Sequence, residues 1–314
     1  MSIKGTLVPA LTFFDEAGNV EERFTEKHMN WVLDNGVNGL FVTGTYGSGY
    51  LMSCEMRVKV YEIAKKVTAA HPGTFAIAHV GANDTASSVY LTEAARDLGF
   101  DAVSAVNPYT FKYRDDELVG YYEDLVKAAG SMPVFAYNNP SLTNKAIGMD
   151  LVRKFAAVGV KAMKDSSLNR DLALSIKDFR ENEGADFQYI SGSTKDWAFF
   201  RTVGVKAMIA GACNYAPELV SAMYRLSQGT DEESFMEAHD LVNALSGNIK
   251  TGNSLISSHL VLRSRGYDVP YMKRPLICPY EEYADKIAED KAMLDEAHEK
   301  MAKLVPDFSY TELE

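Results

Sequence analysis

Cysteine is scarce in this chain of 314 residues: Cys54, Cys213 and Cys278 are odd in number and far apart. That excludes a disulfide framework and fits a reducing compartment, where each cysteine serves as a small apolar filler. No uncharged apolar run reaches the ~18 residues of a membrane span. The first residues lead directly into a strand-like run, so no signal peptide is expected. Positive charge is in deficit, with 32 Lys and Arg against 43 Asp and Glu and a net charge of −11. That argues against nucleic acid or an anionic membrane as partner. The six histidines are scattered and none shows ligand spacing, so no metal is expected. A phosphate loop, a G-x-S-x-G nucleophile elbow and a pair of inward carboxylates are all missing.

What the chain does have is apolar residues, 46% of the total, enough for a large core. One stretch stands out: Val158-Gly159-Val160-Lys161-Ala162-Met163-Lys164-Asp165-Ser166-Ser167. It reads as a short apolar strand ending in a lysine. Alternation places Lys164 on one face with Ala162 and Val160. An amine held against such a face loses hydration, which lowers its pKa and frees it as a nucleophile. The plainer alternative is a strand-ending lysine that reaches back to water.

The same junction occurs twice. Residues 158–164 recur as 203–209 with six of seven identities, and Ile209 stands where Lys164 stood. A reused helix–glycine–strand junction argues for repeated βα units. Strands are expected over 5–12, 37–43, 74–80, 101–106, 132–137, the Lys164 stretch, 187–190 and 205–209. Helices are expected over 20–35, 53–70, 85–98, 115–129, 148–157, 170–181, 195–202 and up to 226. Eight such alternations are the count of an α/β fold of the (β/α)8 TIM barrel type. The barrel is assigned to residues 1–228. Helical patterns over 231–245, 253–264 and 281–303 form a C-terminal helical bundle, residues 229–314.

Active sites of such barrels lie at the C-terminal ends of the strands. Those ends carry Gly44-Thr45-Tyr46-Gly47-Ser48-Gly49, Tyr109, Tyr137-Asn138, Lys164, Ser191-Gly192 and Ala210-Gly211. The glycine-rich loop reads best as a nest of backbone N–H groups for a small anion such as a carboxylate. A lysine, a tyrosine and a carboxylate nest suit imine chemistry on a 2-oxo acid, with Tyr137 moving protons.

Gly44-Thr45-Tyr46-Gly47, Tyr137-Asn138-x-Pro140, Val160 to Ser167 and Gly211-Ala212-Cys213-Asn214 occur in order. In these motifs the chain resembles the dihydrodipicolinate synthase / N-acetylneuraminate lyase family of class I aldolases, over nearly its whole length. The resemblance implies an oxo-acid lyase with pyruvate bound as a Schiff base on Lys164 and Tyr137 in proton transfer. It implies Thr45 and neighbouring amides, including Gly47, on the pyruvate carboxylate, and the Ile209 carbonyl near the lysine. It further implies a cofactor-free cytoplasmic homotetramer acting on pyruvate and an aldehyde.

Departures from the family pattern fall on the substrate side. Tyr46 replaces a second small hydroxyl residue, and Ser48 a glutamate. Leu142 replaces the arginine that holds a semialdehyde carboxylate, and leucine has no bidentate fork. Thr110 replaces a tyrosine that enters a neighbouring subunit's relay. Thr194 and Lys195 stand where sialic acid lyases carry acidic residues. The expected site is thus Lys164, Tyr137 and Thr45 for chemistry, with Tyr46, Gly47, Tyr109, Thr110, Leu142, Gly192 and Ile209 around the substrate. The same imine would also suit a dehydratase of a 2-oxo-3-deoxy sugar acid, and the altered pocket a non-catalytic 2-oxo acid binder.

Overall fold

The computed structural model describes residues 3–249 and 251–313. Strands β1 (Gly5–Pro9), β2 (Gly39–Val42), β3 (Phe75–His79), β4 (Ala102–Val106), β5 (Val134–Asn138), β6 (Ala162–Asp165), β7 (Gln188–Ser191) and β8 (Ala207–Ile209) pair in parallel, each with the next, and β8 closes on β1. The (β/α)8 barrel read from the sequence is the fold observed.

Between the strands run α1 (Glu22–Asp34), α2 (Cys54–Ala70), α3 (Thr85–Asp97), α4 (Asp115–Ala129), α5 (Pro140–Thr143), α6 (Met149–Ala157), α7 (Arg170–Asn182) and α8 (Trp197–Phe200), and α9 (Pro217–Leu226) follows β8. Then come α10 (Glu232–Asn248), α11 (Ser254–Ser264) and α12 (Ala284–Leu304). Short polar side chains start several of them. Ser53 accepts from the Met56 N–H, Asp84 from Ser87, Asn169 from Leu172 and Asp231 from Ser234. None of the described helices is long and apolar enough to cross a membrane.

Two apolar layers result from strand alternation. One fills the barrel interior with Leu7, Phe41, Ile77, Val106, Phe135, Tyr137, Ala162, Ile190 and Ile209 among others. The other, much larger, lies between barrel and helices and includes Val8, Leu40, Val103, Met163 and Met208.

The repeated heptapeptide folds the same way twice. Gly159 and Gly204 take φ of 106° and 81°, a conformation that suits glycine at a helix end. The next N–H then reaches back into the helix turn, Val160 to the Phe155 carbonyl and Val205 to the Phe200 carbonyl. Ala162 and Ala207 face the interior, and Met163 and Met208 face the helices.

Three local expectations change. Val160 does not share the inner face with Lys164: it precedes β6 and packs in the outer layer, because the chain is still turning out of its glycine there. The strand also runs one residue past the lysine, to Asp165. The helix expected over 195–202 is one α turn, α8, followed by a 3₁₀ turn over Arg201–Val203. The left-handed backbone of Asp196, φ 57°, delays its start.

Candidate active site

The site begins as a cross-strand pair. β5 and β6 align Tyr137 with Lys164 and Asn138 with Asp165. Two motifs that are 27 residues apart in the chain are therefore neighbours in the sheet. The second pair is the scaffold. The buried Asp165 carboxylate accepts from Asn138 Nδ2 at 2.8 Å, Tyr189 Oη at 2.8 Å, Ser167 N at 2.9 Å and Asn169 N at 3.1 Å. Asn138 Oδ1 in turn accepts the Ile147 N–H at 2.9 Å. Such fully paired buried polar groups fix the loops after both strands.

Lys164 is only 5% exposed. Its Nζ lies 4.2 Å from the ring centroid of Phe41 and 4.2 Å from that of Tyr137. Burial draws the amine below the usual lysine range, while the Tyr137 phenol pulls the other way. Burial would raise the Tyr137 phenol. The Lys164 charge and donors on its oxygen outweigh that and bring it below the usual tyrosine range. Those donors are Asn139 Nδ2 at 3.2 Å and Ser166 Oγ at 3.5 Å.

The loop after β2 supplies the anion nest. Thr43 and Ser48 both have positive φ, 56° and 55°, and fold the chain back on itself. A Cβ on Gly49 would sit 1.8 Å from the Thr43 carbonyl oxygen, so only glycine fits. Ser48 N donates to the Thr45 carbonyl and Gly49 N to the Gly44 carbonyl. Among the described residues, the amides of Tyr46 and Gly47 find no acceptor. The buried Thr45 hydroxyl has no hydrogen-bond partner either.

The other expected residues fall in two groups. Tyr109 and Leu142 are half-buried and pack against the inner layer at the mouth, and Ile209 lies within that layer. Tyr46 turns towards β8 and α11, its phenol beside Gly211 and Ser254. Gly192 lies tight against the β6–α7 loop: its N–H donates to the Asp165 carbonyl at 2.8 Å, and a Cβ there would meet that oxygen at 2.6 Å. Thr110 is exposed and held by its backbone N–H to Asn83, away from the lysine. Thr194 is buried and donates to Asn243 on α10.

Sequence reasoning missed four side chains: Phe41, Tyr50, Arg57 and His79. His79 ends β3 inside the barrel, edge-on to Tyr137 at 5.9 Å and to Tyr50 at 5.4 Å. Its carbonyl accepts from Thr43 Oγ1 at 2.9 Å, Tyr61 Oη at 2.7 Å and Arg57 Nη2. Burial, with the Arg57 and Lys164 charges beside it, drives the imidazole far below the usual range and keeps it neutral. The available signal was a lone polar residue in the apolar strand FAIAH.

A closed barrel with a desolvated amine and phenol at its C-terminal rim defines a lyase of the class I aldolase type. The chain belongs to the dihydrodipicolinate synthetase family, whose model matches residues 2–293. It is 30% identical over 252 residues to the 4-hydroxy-tetrahydrodipicolinate synthase of Bartonella bacilliformis, covering 79% of this chain and 83% of that protein. Over 167 residues it is 30% identical to the N-acetylneuraminate lyase of Salmonella paratyphi B, covering 53% and 56%. The sialic acid aldolase of Ruminococcus gnavus superposes with a TM-score of 0.86 at 24% identity, over 95% of this chain and 99% of that one, which shows the shared fold.

Proposed function

We propose that the chain binds pyruvate as an imine on Lys164 and makes or breaks a carbon–carbon bond between that unit and an aldehyde. The observation that carries this reading is the buried Lys164 amine, held between the faces of Phe41 and Tyr137. Lowering the amine's pKa enlarges the neutral fraction that can attack the C2 ketone. Loss of water leaves an iminium, which draws electrons from the C3 bond. Tyr137 sits where a proton has to be given and taken. Thr45 and the amides of Tyr46 and Gly47 are the donors for the carboxylate.

The acceptor side supports an apolar or aromatic aldehyde. Tyr50, Tyr109 and Leu142 pack against the inner layer at the mouth. Position 142 offers no charge. Thr143 is occupied with its own turn, donating to the Asn139 carbonyl at 3.2 Å and the Lys145 carbonyl at 2.9 Å. In this reading residues 1–228 carry the chemistry, and the helical bundle 229–314 closes the rim where Tyr46 meets Ser254. By family resemblance we also propose a cofactor-free cytoplasmic homotetramer; sedimentation of the purified chain tests the assembly.

Borohydride reduction with pyruvate tests the central claim. The peptide containing Lys164 should gain the mass of a reduced pyruvyl group, and an unmodified Lys164 would overturn the reading. Incubating trapping-competent enzyme with pyruvate and a panel of aldehydes then reads the acceptor.

A further inference from the structure

An imine on Lys164 is a strong electron sink only while its nitrogen keeps a proton. Burial works against that proton, because a dry site disfavours charge. A carboxylate beside the nitrogen would offset the cost, and this site has none. Among the described residues, burial and Tyr137 alone act on the Lys164 amine. The acid next in the chain, Asp165, stands on the other face of β6, where Asn138, Tyr189, Ser167 and Asn169 occupy it. His79 is neutral, and Arg57 behind it is itself a cation. What faces the nitrogen is a corner of two aromatic rings. Phe41 and Tyr137 meet edge to face, their planes 83° apart, and Lys164 Nζ lies 4.2 Å from each centroid, over both rings. Phe41 is fully buried, with Gly44 packed on its edge: a Cβ there would sit 2.6 Å from Cε1 of the ring. The His79 ring flanks it at 6.0 Å. These neighbours hold the Phe41 face towards the nitrogen.

We propose that Phe41 stands in for the missing carboxylate: its π face keeps the proton on the Lys164 nitrogen in the pyruvate iminium. The proposal rests on the pyruvate imine reading above. The face of a benzene ring carries the negative end of its quadrupole and attracts a cation, most strongly where water is excluded. Unlike a carboxylate, it cannot accept the proton it stabilises, so the charge stays on nitrogen. The substrate's own carboxylate is taken up by Thr45 and the amides of Tyr46 and Gly47. When the C3–H bond breaks, its electron pair becomes the C2–C3 double bond and the C2–N π pair returns to nitrogen. The proton passes to the Tyr137 oxygen, and the charge over Phe41 is cancelled. Tyr137 is committed to that transfer, whereas Phe41 has no group that titrates. It touches the reacting nitrogen directly and is a catalytic residue in that sense.

The test uses the full chain with ring-fluorinated phenylalanines at position 41. Added fluorines drain charge from the face and barely change its size. Pyruvate labelled with ¹³C at C2 is bound, and the NMR signal of the imine carbon is followed against pH. The midpoint of imine protonation should move to lower pH with each fluorine. Over the series proton affinity should fall about tenfold, in the range of a desolvated cation–π contact, while Tm stays constant. Phe41→Leu keeps an apolar bulk without a π face and should move the midpoint at least as far. A midpoint indifferent to fluorination would overturn the proposal. So would a shift that follows loss of Tm instead of the fluorine count, which would make Phe41 a packing residue only. Failure of borohydride to trap pyruvate on the unmodified enzyme would instead overturn the imine reading beneath it.

Discussion

The phenol end of Tyr46 lies against Gly211, so close that a Cβ at Gly211 would sit 2.2 Å from Oη and 2.4 Å from Cζ of the ring. The loop after β2 and the turn after β8 are thereby matched in shape, and Tyr46 reaches Ser254 on the helical bundle. Gly211→Ala should push the ring out of this slot and cost about 1–3 kcal/mol of stability, the usual price of overpacking. Tyr46→Ser in that background should recover most of the loss. Denaturation of both single variants and the double variant gives the coupling, and additive effects would show that the two residues do not share the slot.

Lys164→Met replaces a dehydrated amine with an apolar chain of similar length. Imine trapping should vanish while Tm rises by a few degrees. The amine's folded pKa lies below its unfolded value, so the unfolded chain binds more protons across the window between them. Wild-type stability from this group therefore increases as pH rises through that window. The advantage of the Met variant should shrink towards alkaline pH, and a constant difference would contradict the assignment.

Tyr137→Phe removes the phenol and keeps the ring that faces the amine. Turnover with pyruvate and an accepted aldehyde should fall by about 10²–10⁴. Lys164 loses the partner that opposes its desolvation. Its amine should therefore titrate lower still, moving the pH profile of trapping to lower pH.

His28 is buried, with Nε2 2.8 Å from the Asn214 carbonyl, and burial holds it at about 4 instead of 6.5. Between those values the unfolded chain carries a proton that the folded chain refuses. Stability from this site is lost as pH falls from 6.5 and is exhausted near 4, a total of roughly 3 kcal/mol at ~1.36 per unit. His28→Gln should flatten that part of the pH dependence of urea denaturation.

Glu218 and Arg265 form a buried ion pair of 2.8 Å, and His298 Nε2 joins it at 2.6 Å from α12. Glu218→Ala would leave Arg265, whose side chain is only 1% exposed, with Glu312 at 2.9 Å as its remaining ionic partner. It should cost about 3 kcal/mol, the low end for a broken buried pair, measured by chemical denaturation, without abolishing pyruvate trapping.

Much of this molecule could be read without coordinates because its information is local. Strand alternation, capping residues such as Ser53 and Asp84, and the glycine of the repeated heptapeptide all act within a few residues. They produced the barrel count, the inner position of Lys164 and the rim placement of Tyr137 and Thr45. Val160 was misplaced because a turn of the backbone at Gly159, not side-chain character, decides where alternation begins.

Tertiary structure alone decided which side chains meet across elements. Phe41 from β2, His79 from β3 and Tyr137 from β5 converge on one amine only when the sheet closes. Tyr50 and Arg57 look like an ordinary aromatic and an ordinary helix cation until that closure buries them beside His79. Chain order determined the cylinder and its nucleophile; long-range packing, which sets desolvation and reach, determined the company the nucleophile keeps.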